Sequence, residues 1–166
     1  IDSALCLMLS ADVVARKDLD CFYLPTIYNS KQSLQDAKNL VRNLEVGMKI
    51  FPIESLRKKI ISDLTPFFNN LKNDITEENI QSRIRGLLLM AISNKFHSLL
   101  ITTGNKSELA VGYSTLYGDM CGGFSLIKDL YKTQVIELVK WRNNNIPKSC
   151  KIKKRKIIPE NIISKD

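Results

Sequence analysis

The sequence predicts an α/β fold: a doubly wound parallel sheet with helices on both faces. Two observations carry this. Short apolar runs at 21–24, 48–53 and 98–102 alternate with longer segments of helical periodicity. That is the order of βαβ units and hence of parallel strands. The third run leads into residues 102–133, TTGNKSELAVGYSTLYGDMCGGFSLIKDLYKT, rich in Gly, Thr, Ser and Asp. A polar, glycine-bearing loop at the carboxyl end of a buried strand is where open α/β sheets bind ligands.

The elements follow in order. Residues 2–14 carry Leu5, Leu7, Met8, Leu9, Val13 and Val14, which predicts a largely buried helix. Residues 21–24 form a short strand stopped by Pro25. Ser33 offers an N-cap, and Ala37, Leu40, Val41 and Leu44 give helical spacing. Residues 48–53 form a second strand. Residues 56–68 are helical in part, with a kink or break near Pro66. A long helix starts near 76–79, where Glu77 and Glu78 suit the positive end of its dipole, and runs to about Asn94. Residues 98–102 are the third strand. Lys132 to Trp141 is a helix, with Trp141 packing at its end. His97 falls in a turn and receives no role.

The totals set limits. A chain of 166 residues is about one domain. Its 44% apolar and 25% charged residues are ordinary for a globular protein. No apolar run reaches the ~20 residues of a membrane span, and no signal peptide is visible, so a cytoplasmic protein is expected. Cys6, Cys21, Cys121 and Cys150 form no C-x-x-C pair, and His97 is the one histidine. This argues against a zinc site and suits a reducing compartment. Net charge is +8, much of it in the run at 148–156. Without interleaved aromatics that run reads as a solvated loop rather than a nucleic-acid patch. The cationic excess also suits a domain that handles polyanionic nucleotides.

Residues 78–86, Glu-Asn-Ile-Gln-Ser-Arg-Ile-Arg-Gly, and the stretch 102–133 together resemble the synthetase domain of the NAD synthetases, in their glutamine-dependent branch. The likeness is strongest over 78–143 and weaker over 1–43. Asp2-Ser3 matches the tail of the Ser-Gly-Gly-x-Asp-Ser phosphate loop of the adenine-nucleotide α-hydrolase fold. The resemblance implies ATP-dependent amidation of deamido-NAD through an adenylated intermediate, with Mg2+. It places Asp2, Ser3, Ser30, Thr103 and Lys132 at ATP. It places Asn79, Arg83, Glu108, Tyr113, Leu116 and Asp119 at deamido-NAD, and Asp2 and Glu108 at the metal. Independently of the resemblance, Asn79 and Arg83 are i, i+4 and share one helix face, and Arg83 offers a planar fork for phosphate or carboxylate. Ser30 reads equally well as part of an ordinary strand-to-helix loop.

Leu116 stands where the ammonia-only branch has Lys. The resemblance further implies a homodimer and a glutaminase domain in the complete protein. Both ends look cut: the Ser-Gly-Gly and the segment expected after residue 166 are absent, so these 166 residues alone are expected to be nearly inactive. Leu44-Glu45 stands where the family has Leu-Gly, and Gly47 two residues later is expected to shift the helix cap. Two rival readings stay open at this point: another ligase of the same fold, such as a GMP synthetase or a thiouridylase, or a non-catalytic nucleotide-binding remnant.

Overall fold

The computed structural model describes residues 1–69 and 71–164. In order, the elements are α1 (Asp2–Val13), β1 (Cys21–Tyr23), α2 (Lys31–Leu44), β2 (Met48–Ile50), α3 (Glu54–Leu64), α4 (Ile75–Phe96), β3 (Ile101–Thr102), α5 (Lys106–Ala110), β4 (Phe124–Ser125), α6 (Lys132–Asn144) and α7 (Glu160–Ile163). A 3₁₀ turn at Thr65–Phe67 ends α3 where Pro66 removes a donor, as expected. β1 pairs with β2, and β3 with β4; both ladders are parallel.

Helices cover both faces of the strands. On one side α1, α2 and α6 bury Leu5, Met8, Leu44, Val135 and Val139, with Cys21 and Ile101 turned toward them. On the other, Ile80 and Ile84 of α4 close over Ile53, and Leu24 and residues of α3 pack against them. The expected doubly wound α/β architecture is borne out. The strands are shorter than expected, and among the described residues they form two ladders rather than one. The third run is not a uniformly buried strand: Leu99 is 65% exposed. Ser98 donates its N–H back to Ser93 O at 3.0 Å, so α4 still holds the start of that run. The polar stretch after it also contains α5 and β4, which its composition concealed.

Three further expectations are corrected. α2 is capped by Ser30, whose Oγ accepts from Ser33 N at 3.1 Å, so Ser33 is the capped residue and not the cap. The helix end is not shifted to Gly47. Glu45 itself takes the left-handed conformation, φ 59°, and donates its N–H to Arg42 O. Its carboxylate meets Arg16 at 3.3 Å and pairs with Lys154, while the following Val46 is buried. Trp141 does not pack at a helix end: α6 runs one turn further, and the indole is 51% exposed.

The basic run does expose its lysines, but its backbone is pinned. Arg142 donates to the carbonyls of Asn145, Ile152 and Lys154 and makes a bidentate pair with Asp12, both contacts at 2.8 Å. Asn143 and Ile158 exchange two hydrogen bonds, at 2.8 and 3.0 Å.

Candidate active site

Three helices begin at one corner beside the carboxyl end of β3. α1 opens with Asp2, α5 is capped by Asn105, and α6 opens with Lys132. Asn105 is fully buried. Its Oδ1 accepts from Glu108 N at 3.0 Å, and Glu108 Oε2 accepts from Asn105 N at 3.1 Å, a reciprocal capping box. Asn105 Nδ2 then donates to Asp2 Oδ1 at 2.9 Å. The other oxygen of Asp2 pairs with the Lys132 ammonium. Lys132 is tied in through its main chain as well, its N–H donating to Ser107 Oγ at 3.0 Å. Five polar residues from three helices thus form one connected network.

Asp2, Ser3, Thr103, Glu108, Asp119 and Lys128 line a pocket of about 350 Å³ at this corner. The donor set is hard oxygen: three carboxylates, Asp2, Glu108 and Asp119, and the hydroxyls of Ser3 and Thr103. That chemistry fits Mg2+ held between protein and phosphate oxygens. Glu108 spends only Oε2 on the cap, which leaves its second oxygen for such a role. Among the described residues no group of three or more His, Cys, Asp or Glu converges, so a dedicated all-protein metal cage is not present. Cys6 lies beneath Asp2 and is no nucleophile: burial, and then the Asp2 charge, push its thiol up to about 12.

The second cluster lies between α4 and the loop after α5. Asn79 Oδ1 accepts from Thr115 Oγ1 at 2.9 Å. Arg83 Nε donates to Leu116 O at 3.3 Å, and Asp119 N to Ser82 Oγ at 2.9 Å. Tyr113 OH donates to Glu78 Oε1 at 3.3 Å; the Glu78 charge and that bond raise the phenol above its usual range. This docking needs two glycines. A Cβ on Gly86 would sit 2.8 Å from the carbonyls of Tyr117 and Gly118, and one on Gly118 would sit 2.4 Å from Ser82 Oγ. Neither leaves room for a methyl group.

A crevice of about 1660 Å³ runs from β1 past α4 to β3. Asn79, Tyr113 and Asp119 line it, and Ser3, Thr103, Tyr113 and Asp119 line both it and the smaller pocket. The two clusters therefore adjoin. Ser30, Arg83, Leu116 and Lys132 line neither cavity. Arg83, Leu116 and Lys132 join the clusters through the contacts above, whereas the Ser30 hydroxyl is spent on the α2 cap. The sequence reading missed Asn105 and Ser82. Asn105 had a signal, the Asn-x-x-Glu spacing of a capping box directly after a strand.

The profile of the NAD synthase family matches residues 1–166. The chain belongs to the NAD synthase family. The glutamine-dependent NAD(+) synthetase of Rhodobacter capsulatus is 47% identical over 165 residues, 99% of this chain and 30% of that protein. The enzyme of the same name from Thermotoga maritima is 44% identical over 165 residues, 99% of this chain and 27% of that protein. The chain thus spans about a third or less of the length of these relatives.

Among solved structures, the glutamine-dependent NAD+ synthetase of Acinetobacter baumannii in complex with ADP superposes with a TM-score of 0.92. It is 44% identical and is matched over 99% of this chain and 30% of its own. The NH3-dependent NAD synthetase of Campylobacter jejuni superposes at 0.77 with 34% identity, over 86% of this chain and 59% of its own. No helix among the described residues is long and apolar enough to cross a membrane.

Proposed function

We propose that this chain is the ATP- and deamido-NAD-binding unit of a glutamine-dependent NAD synthetase, in a cytoplasmic homodimer whose glutaminase domain lies elsewhere in the longer protein. What supports this is a gathering of residues. Positions as distant as Asp2 and Lys132, 130 apart in sequence, form one network, and the second cluster adjoins it across a shared crevice. A carboxylate oxygen of the nicotinate attacks the α-phosphorus of ATP, and pyrophosphate leaves with the bonding pair. Ammonia then attacks the acyl carbon, loses a proton, and AMP departs.

The obstacle is charge: a carboxylate must approach a triphosphate. The Lys132 ammonium, with the hydroxyls of Ser3 and Thr103, would hold phosphate oxygens against that repulsion. Asp2 and Glu108 would hold Mg2+, which when bound neutralises phosphate charge. Arg83 would set the deamido-NAD loop through the Leu116 carbonyl. The test is the full-length protein with ATP, Mg2+, deamido-NAD and ammonia. Equimolar NAD, AMP and pyrophosphate are expected; AMP release dependent on a different acceptor, or no ATP turnover, would reject the reading.

Two substitutions probe its halves. Arg83→Ala is expected to weaken deamido-NAD binding by about 1.5–3 kcal/mol, the worth of a charge-assisted hydrogen bond, and to leave ATP binding nearly unchanged. Calorimetry showing equal losses for both ligands would count against it. Glu108→Gln keeps the oxygen that caps α5, so the fold should survive. It should slow adenylation and raise the Mg2+ concentration needed for turnover. An unchanged Mg2+ dependence would favour a direct substrate contact instead.

A further inference from the structure

Along β1 the main-chain carbonyls alternate in direction, as in any strand. Phe51 N donates to Tyr23 O at 2.9 Å, and Ile53 N donates to Pro25 O at 3.0 Å. Those two carbonyls face the segment that follows β2. The carbonyl between them, on Leu24, is turned to the opposite edge, which borders the crevice. There Arg85 of α4 donates Nε to it at 3.0 Å across 61 residues of sequence.

The arrangement costs something. Arg85 makes no ion pair among the described residues, and burial lowers its pKa. An arginine desolvated for the sake of one main-chain oxygen is a poor stability device. The oxygen it holds, however, is where the strand ends and the next loop begins. On its other side the loop is tied to the start of α3, through Ile53 N to Pro25 O at 3.0 Å, Ile27 N to Glu54 Oε2 at 3.4 Å and the Arg57 guanidinium over the Tyr28 ring. Toward α4 its tie is Arg85, and the rest of its bonds are its own. Thr26 N donates to Asn29 Oδ1 at 2.8 Å, Asn29 N to Thr26 O at 3.2 Å, and Ser33 N to Ser30 Oγ at 3.1 Å. Thr26, Tyr28 and Asn29 of the loop line the crevice.

Arg83 makes a matching contact elsewhere on the same helix. Its Nε donates to Leu116 O in the other loop. Positions two apart on a helix are separated by about 200°, so the two guanidiniums leave α4 on different sides. One helix therefore holds a carbonyl of each crevice-lining loop.

We propose that Arg85 is a positioning residue: by holding Leu24 O it fixes the loop 25–30 relative to α4, and so sets the nucleotide-side wall of the crevice. The assignment to the ATP side rests on the function proposed above; the positioning itself does not. The experiment therefore has two readouts. Hydrogen exchange on this chain compares wild type, Arg85→Met and Arg85→Lys. The methionine variant should speed exchange at Asn29 and Ser33 by about tenfold or more, with α6 unchanged, since local opening is what the lost tie permits. Lysine, which keeps a donor, should restore much of the protection. Unchanged protection in the loop would overturn the proposal, and so would a uniform loss across the fold. Should the methionine variant fail to fold, Arg85→Gln takes its place.

Steady-state kinetics on the full-length enzyme supply the second readout. The methionine variant should raise KM for ATP by about tenfold, with KM for deamido-NAD changed far less, because a displaced wall costs ground-state fit on one side. An effect confined to deamido-NAD would overturn the ATP-side assignment. A wild-type enzyme that turns over no ATP would remove the proposed function, while the exchange data would still judge the tie.

Discussion

Methionine in place of Arg142 is expected to cost about 3–5 kcal/mol of folding free energy, because it strands a buried carboxylate. Arg142 is 1% exposed and Asp12 3%. The guanidinium meets both carboxylate oxygens and three main-chain carbonyls of the segment after α6. One substitution therefore leaves Asp12 and those three carbonyls without that donor. Domains of this size have only about 5–15 kcal/mol in hand. The variant should show a much lower urea midpoint and early proteolysis within 145–158.

The pH dependence gives a second signature. Burial would raise the Asp12 pKa, but the hydrogen bonds from Arg142 and Cys150, with the Arg142 charge and the Ile152 main chain, outweigh it and hold the carboxyl below its ordinary value. A lowered native pKa stabilises above the unfolded value of about 4, and that share is lost as pH falls through the native value. In Arg142→Met the sign should invert, with Asp12 favouring the fold only once protonated. Pairing Arg142→Met with Asp12→Leu should recover much of the loss. A single-variant cost below about 1 kcal/mol would show that water reaches the pair, as at surface ion pairs.

How much of this was legible follows from the range of each signal. The long helices were read well because their apolar spacing is local, as in α4, where Ile80 and Ile84 are both buried. By contrast α5 and α7, of five and four residues, are too short to show a period and were missed. Their caps were read less well. Both Ser30 and Ser33 can cap, and only the observed N–H direction decides between them. The strands were over-read because each has two or three paired residues, and an apolar run does not say where pairing stops. β4 was hidden in a polar stretch because its two residues carry no pattern.

The candidate site was legible by motif, since its residue order is distinctive. The links between its members were not. Asp2, Asn105 and Lys132 meet only through the fold. The Asp12–Arg142 pair left one trace. Leu5, Met8 and Asp12 stand at i, i+3 and i+7, and all three are buried. A charge on the apolar face of a helix calls for a partner, though not for a named one.

Methionine in place of Lys132 is expected to lower kcat for adenylation by about 10²–10³ in the full-length enzyme, the usual loss when one preorganised donor to developing charge is removed. The expectation rests on the proposed function and on three features of the site. Lys132 is paired with Asp2, which lines the small pocket. The Lys132 side chain is 43% exposed, so the ammonium can reach a ligand without breaking a core contact. Its hold on the fold runs through its main-chain N–H to Ser107 Oγ, which the substitution leaves alone. Stability should therefore change little, since the lysine is part-exposed and Asp2, though its side chain is 15% exposed, keeps its hydrogen bond from Asn105. The split between activity and stability is the diagnostic. A large fall in pyrophosphate release with an unchanged melting curve supports a role at the reacting phosphates. Asp2 then loses its cation, and higher Mg2+ should rescue part of the activity by occupying that carboxylate. Arginine at the same position keeps the charge but has a different shape and should restore only a fraction. Full activity in Lys132→Met would show that the ammonium serves only to hold Asp2, and charge neutralisation at the triphosphate would then fall to other groups around the pocket, such as Lys128.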